Sequence, residues 1–271
     1  MHGLRGYAEV IESVKWGLEQ LGHEVSLEIN RFARGARNIV FGAQVLPVDM
    51  QKQLAEDTII YNFEQLSRSD GASVRDEIRF YAGRFQIWDY SHFNLAGWER
   101  LGTARGVKIV PVGYAPVLER IESREPQDID VLIYGFTSPE RLDVFNALAR
   151  SGLTTMFVCG LYGQERDELI ARSKIVLNVN RYRDAGIFEI VRVSYLLINH
   201  KAVVSDLHPG TRIEPDMQGA IRLSQPYAFA SECLRLVENE DERRELAGKG
   251  YEIIRRRDIR TILTQALQGQ G

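Results

Sequence analysis

Apolar residues recur along this chain in two rhythms. Val10, Val14, Leu18 and Leu21 return at three- and four-residue steps, which predicts an amphipathic helix over 7–21 that stops at Gly22. GHEVSLEI (22–29) then reads as a turn and a strand, and NIVFGAQVL (38–46) as a short strand running into a loop. Thr58 to Asn62 and Phe85 to Trp88 are apolar strands, each followed by polar residues: Phe63-Glu64 after the first, Asp89 to Asn94 after the second. GVKIVPVGYAP (106–116) repeats that design, with Pro111 and Pro116 holding its end extended.

A charged stretch, VLERIESREPQDID (117–130), interrupts the pattern and reads as a linker. A second alternating series follows. DVLIYGF (130–136) is strand then glycine loop. SPERLDVFNALARSG (138–152) is a helix with Ser138 as its N-cap, Pro139 at its first position and Gly152 past its end. TTMFVCG, KIVLNVN and KAVVSD are strands, QERDELIARS and IFEIVRVSYLLINH are helices, and 227–257 gives two further helical stretches. Strands alternating with helices predict an α/β fold with parallel sheets. The linker divides it into two Rossmann-like domains, 1–116 and 117–250, followed by a C-terminal helix in 251–271 placed to cross back onto the first domain. The first domain is short and opens on a helix with no strand before it, which is atypical because the first strand of a doubly wound sheet is usually central.

Composition narrows the class. Of 271 residues, 44% are hydrophobic and 26% charged, the balance of a folded globular chain. Lys and Arg number 34 against 37 Asp and Glu, a formal charge of −3, which argues against a basic nucleic-acid binder. The two cysteines, Cys159 and Cys233, are too few for a disulfide framework, and fit a reducing compartment. The opening MHGLRGYAEV lacks a signal-peptide core, and no apolar run approaches the ~20 residues that cross a bilayer. A cytoplasmic protein is expected.

Candidate chemistry gathers where strands end, the edge at which open parallel sheets bind ligands. Glu64, Asp89 and His92 follow N-terminal strands and are candidates for a general base or for acceptor binding, against a reading of Asp89 as a turn cap and His92 as a surface residue. Gly135, Phe136, Thr137 and Ser138 join a strand to a helix N-terminus, a place suited to phosphate, or form a plain capped turn. Asn178 ends a strand, and a loop with Arg181 and Arg183 leads to a helix beginning near Phe188. Glu189 and Arg192 lie in its first turn or so. Arg192 can fork onto a diphosphate and Glu189 can accept from hydroxyls, or the two can pair with each other three residues apart. Gly3 and Gly6 do not complete a GxGxxG, which argues against a Rossmann-type oxidoreductase or epimerase. Asp128-Ile129-Asp130 has the Asp-x-Asp form of a divalent-cation site, yet it precedes a strand and reads as a cap or linker element. His200 and His208 lack a third ligand at metal spacing, so no metal site is expected.

The runs DVLIYGF (130–136), GLYGQERDELIARSKIVLN (160–178) and IFEIVRVSYLLINHKAVVSD (187–206) resemble the C-terminal half of GT-B-fold glycosyltransferases. The resemblance is to the small bacterial group related to the spore-coat-type glycosyltransferases, and TIIYNFEQL (58–66), IWDYSHFN (87–94) and VPVGYAP (110–116) extend it across roughly 22–206. It implies two domains facing a cleft, a nucleotide-sugar donor site in the second and an acceptor site in the first. The donor set would be Gly135, Phe136, Thr137, Ser138, Asn178, Arg181, Arg183, Phe188, Glu189 and Arg192, and the catalytic set Asp89, Glu64 and His92. The reaction implied is metal-independent transfer of a sugar from a nucleoside-diphosphate sugar to an acceptor hydroxyl, with no other cofactor and no membrane span. A homo-oligomer is compatible with it. Many retaining members carry two glutamates about eight residues apart at this helix. This chain keeps Glu189 but has Tyr195 and Leu197 in the later region, which leaves donor and stereochemistry open. It also keeps open a non-catalytic nucleotide- or sugar-binding partner of another enzyme.

Overall fold

The computed structural model describes residues 5–66, 76–103, 105–180, 186–206, 208 and 210–268. The chain divides into two compact units, Gly3–Gly113 with Asp258–Gly271, and Tyr114–Arg257. Both are α/β with parallel sheets, as the alternation of strand and helix patterns predicts.

The first unit starts on helix α1 (Ala8–Gln20) and builds β1 (Ile39–Phe41), the one-turn α2 (Val48–Gln51), β2 (Ile59–Asn62), α3 (Asp76–Ala82), β3 (Gln86–Asp89), α4 (Leu95–Leu101) and β4 (Val107–Ile109). The sheet order is β1-β2-β3-β4, every pair parallel. β2 is buried at all four positions, which is why it reads as a continuous apolar run rather than an alternating one. Its core gathers Val40, Ile60, Tyr81, Phe85, Ile87 and Trp98. The strand expected in GHEVSLEI does not form. Val25, Leu27 and Ile29 alternate, but no neighbouring strand among the described residues gives them a ladder, and Leu27 and Ile29 stand exposed. Alternation supplies propensity only; pairing has to supply the strand. α3 and α4 were invisible as patterns because each has only seven residues, too short a run for periodicity to separate from a loop.

Helix α10 (Ile259–Leu267) packs along α1 within this unit. The close approach depends on Gly17, where an added Cβ would lie 2.7 Å from Leu263 Cδ1 and 3.0 Å from Ile259 Cγ2. Lys108 fastens the end of this helix by donating to the carbonyls of Ala266 at 2.6 Å and Gln268 at 2.8 Å, a cation placed where the helix dipole favours one. Gly17→Val is therefore expected to lower stability by about 2 kcal/mol, overpacking outweighing the gain in helix propensity. A thermal melt checks this, and an unchanged or higher Tm would contradict the packing argument.

The second unit contains β5 (Ile129–Tyr134), α5 (Pro139–Arg150), β6 (Thr155–Val158), α6 (Gln164–Arg172), β7 (Ser173–Asn178), α7 (Ile190–Ile198), β8 (Ala202–Asp206), β9 (Arg222–Ser224), α8 (Phe229–Glu238) and α9 (Glu240–Arg255), before α10 (Ile259–Leu267) returns to the first unit. The sheet order is β6-β5-β7-β8-β9, all parallel. β5 therefore has its sequence neighbour β6 on one side and β7 on the other. The connections leaving β5 and β7 part in opposite directions, which opens a crevice at their carboxyl ends. Ser138 caps α5, its Oγ accepting from Arg141 N at 3.3 Å, with Pro139 first in the helix. Asp128 and Asp130, the Asp-x-Asp pair, are held by Arg172 at 2.5 Å and Lys174 at 2.7 Å. Among the described residues no helix is long and apolar enough to cross a membrane.

Candidate functional site

The crevice of the second unit is built around a glycine. Gly135 follows β5 with φ +125°, a conformation that side-chain-bearing residues avoid. A Cβ there would sit 2.9 Å from Arg141 Nη1 and 3.2 Å from Arg192 Nη2. Two guanidinium groups from different helices thus face one bare stretch of backbone.

Each is held in place by named contacts. Arg141, in the first turn of α5, is buried. Its Nε donates to the Val179 carbonyl at 2.9 Å and its Nη1 to the Phe136 carbonyl at 2.7 Å, tying the two lips of the crevice together. Arg192 lies in the first turn of α7 and keeps part of its surface open. Its Nη1 donates to Asn178 Oδ1 at 3.3 Å, its Nη2 lies 3.5 Å from Glu189 Oε2, and its guanidinium stands 5.5 Å from the centre of the Tyr134 ring. Asn178 in turn donates to Ser205 Oγ at 2.9 Å, linking β7 to β8. Cations so placed, beside the N-termini of α5 and α7, are of the kind that favours an anion.

Not every expected residue has the expected place. Gly135, Asn178, Glu189 and Arg192 come together, and Thr137 and Phe136 are exposed at the mouth. Ser138 sits beside them, with its Oγ engaged as the cap. Phe188 is buried and its backbone N donates to the Arg212 carbonyl at 3.1 Å, so it serves the core rather than the crevice surface. Arg181 and Arg183 lie outside the described residues. Tyr195, standing near where a second glutamate would fall, donates to Asp167 Oδ2 at 2.8 Å and accepts from Arg120 Nε at 3.0 Å, with the Arg166 guanidinium 4.7 Å from its ring centre. It belongs to a network with α6, and Leu197 is buried. Three residues that no motif singled out join the site. Arg141 was hidden because it looks like an ordinary surface position of a helix. Asn180 and Asp206 were hidden because a polar residue at or just past a strand end reads as the start of a turn.

Asp206 Oδ2 accepts from Asn180 N at 2.9 Å and lies 3.1 Å from His208 Nε2. Burial pushes the Asp206 carboxyl above the usual carboxylate range, and Glu189 pushes the same way against the Asn180 N–H and His208.

In the first unit, Asp89 ends β3 with no accessible surface. Oδ1 accepts from Ser91 N at 2.9 Å and Asn94 Nδ2 at 3.0 Å, and Oδ2 accepts from Trp98 Nε1 at 2.7 Å and Asn62 Nδ2 at 2.8 Å. Burial lifts its pKa to about 6 against these four donors. Both carboxylate oxygens of Asp89 are already taken up by these donors, which leaves neither open to an acceptor hydroxyl. Its geometry is that of a positioning residue, a correction to the expected catalytic role. What it positions is the loop carrying Glu64: Asn62 and Asn94 each also donate to the Glu64 carbonyl at 2.9 Å, and Asn94 Oδ1 accepts from Leu66 N at 2.8 Å. The Glu64 side chain is half-buried and accepts from Gln44 Nε2 at 2.8 Å. His92 is exposed, its ring 4.0 Å from that of Phe93.

Comparison with known proteins places this architecture. No family model matches the chain. An uncharacterized protein, L140 of Acanthamoeba polyphaga mimivirus, is 29% identical over 165 residues, covering 57% of this chain and 51% of its own. The chain thus spans about half the length of the curated relative it matches. Among solved structures, Anabaena HepE in complex with UDP and glucose superposes with a TM-score of 0.57 over 80% of this chain and 72% of its own, at 11% identity. TarM superposes at 0.55 over 78% and 49%, at 13% identity. WaaG, a glycosyltransferase of lipopolysaccharide biosynthesis, superposes at 0.51 over 82% and 80%, at 11% identity. The fold is that of the GT-B glycosyltransferases. Within that fold, the crevice of the second unit is the carboxyl edge of a Rossmann-like sheet.

Proposed function

We propose that this chain is a glycosyltransferase, of the spore-coat-type group, that takes a nucleoside-diphosphate sugar and moves the sugar to an acceptor hydroxyl without a metal cofactor. The observation that carries the reading is the pair of guanidinium groups, Arg141 and Arg192, converging on Gly135 at the crevice. In the reaction the bond between the anomeric carbon and the diphosphate oxygen breaks and a bond to the acceptor oxygen forms. The bonding pair leaves with the diphosphate, and the acceptor's proton passes to a base. Negative charge therefore grows on the diphosphate, and fixed cations beside helix N-termini stabilise it most in the transition state. Arg192 is the accessible cation and would meet the diphosphate. Arg141 would keep the lips of the crevice in register. Thr137 and Ser138 would add hydroxyl contacts, and Glu189 would accept from ribose or sugar hydroxyls. Glu64, accessible and braced by Gln44, is the better candidate to take the acceptor proton, with Asp89 holding its loop.

HepE was solved with UDP-glucose bound, which makes UDP the first probe. A thermal-shift screen against uridine, guanosine, thymidine, adenosine and cytidine diphosphates tests the site. One of them is expected to raise the Tm by mass action, and no shift with any of them, up to millimolar concentration, would overturn the proposal. A second reading, a binding partner with no turnover, draws support from Tyr195 and Leu197 in the later glutamate region. Release of diphosphate from the sugar nucleotide separates the two, since a pure binder releases none.

A further inference from the structure

Two residues at the carboxyl ends of β7 and β8 keep buried polar atoms that none of the described residues satisfies. Among the described residues, Asn180 Nδ2 and Oδ1 and Asp206 Oδ1 find no hydrogen-bond partner. Both residues are almost wholly buried, at 2% and 1% exposure, and they are neighbours, since Asn180 N donates to Asp206 Oδ2 at 2.9 Å. Buried polar atoms are nearly always paired, so three orphans in adjacent residues need a physical account. His208 Nε2 lies 3.1 Å from the same Oδ2, which leaves Oδ1 as the carboxylate oxygen still open to a donor. Glu189 and His208, whose side chains are 30% and 22% accessible, are the more open members of the cluster.

The atoms left over are one amide donor, one amide acceptor and one carboxylate acceptor. A phosphate would meet the Asp206 carboxylate with like charge. An apolar group would leave all three atoms unpaired. A vicinal diol matches them: one hydroxyl donates to Asp206 Oδ1 while accepting from Asn180 Nδ2, and the second donates to Asn180 Oδ1. We propose that Asn180 and Asp206 form a diol socket that reads the hydroxyls of the bound nucleotide sugar, with His208 as the positioning residue for Asp206. This rests on the nucleotide-sugar reading above and adds the group by which the site would discriminate between ligands. Two parts of such a ligand carry a vicinal diol, the ribose and the transferred sugar. The socket accepts the same chemistry from either.

The test is calorimetric titration of UDP, 2′-deoxy-UDP and UDP-glucose into the full chain and into Asn180→Leu and Asp206→Asn. If the ribose fills the socket, the wild type binds UDP about tenfold or more tighter than 2′-deoxy-UDP. If the hexose fills it, the wild type binds UDP-glucose about tenfold or more tighter than UDP. In either case the variants bring that ratio to within about twofold. Asn180→Leu carries a second signature. Because its side chain makes no hydrogen bond to the described residues, the ligand-free variant should melt at or above the wild-type temperature while losing discrimination; a merely structural asparagine would lower the Tm. Ratios in the variants equal to a discriminating wild type, or no discrimination in the wild type with UDP still bound, overturn the socket alone. A wild type that binds neither UDP nor UDP-glucose overturns the donor-site reading for these ligands and the socket with it.

Discussion

Asp89→Ala should lower stability by about 3–5 kcal/mol, the scale of removing one partner from a buried charged network. The carboxylate is the common acceptor for Ser91 N, Asn94 Nδ2, Trp98 Nε1 and Asn62 Nδ2, and alanine leaves these buried donors without it. The loss should spread to the loop of Glu64, since Asn62 and Asn94 also hold its carbonyl. The pH dependence has a definite sign. Burial lifts the folded pKa to about 6, above the ~3.9 of an unfolded aspartate, so between these values the folded chain binds a proton that the unfolded chain has released. The contribution of Asp89 is therefore largest below about pH 4, falls as pH rises through 4 to 6, and is level above that. Denaturant unfolding of wild type and variant at several pH values between 4 and 8 reads both effects. A gap that widens with rising pH, or a cost below about 1 kcal/mol, would refute this account.

Arg192→Ala should weaken nucleoside-diphosphate binding by about 30-fold, equivalent to ~2 kcal/mol, if its guanidinium meets the diphosphate. Arg192→Lys should recover only part of this, because an ammonium cannot fork across two phosphate oxygens. The competing role is local: Arg192 also lies 3.5 Å from Glu189 and donates to Asn178. A partly exposed i,i+3 pair contributes little to stability, so the two roles separate cleanly. A diphosphate ligand predicts a large loss of affinity with a nearly unchanged Tm. Unchanged affinity in calorimetric titration removes Arg192 from the site.

Much of this was legible along the chain. The α/β class follows from strand and helix rhythms that alternate, and the helix at 139–150 was readable from its cap, its leading proline and its trailing glycine. The long apolar strands were readable too, because an inner parallel strand is buried on both faces and leaves a continuous apolar run. Where the elements were short, the signal failed. β9 has three residues and α3 and α4 seven each, which local composition cannot distinguish from loops. GHEVSLEI failed for the opposite reason. Its alternation is a good strand pattern, but a strand exists only with a partner, and partners are chosen by the fold.

The candidate site divides in the same way. Gly135, Glu189 and Arg192 were recognisable because a glycine after a strand and charges at a helix start carry local meaning. Asp89 was recognisable as important, but its part was not, since Asn62, Asn94 and Trp98 reach it from elsewhere in the chain. Arg141 looks like any helix-surface arginine until its two carbonyl acceptors, Phe136 and Val179, are seen to lie just past the ends of two different strands.

Taken alone, the order of residues determined the class of fold, the long elements and the strand ends where chemistry would gather, because hydrophobic period, caps and turn residues act over a few positions. Only the tertiary structure decided which polar groups are buried, which of them are satisfied and which cations converge. Those properties depend on contacts between residues tens of positions apart, and burial, which sets their energies, has no local signature.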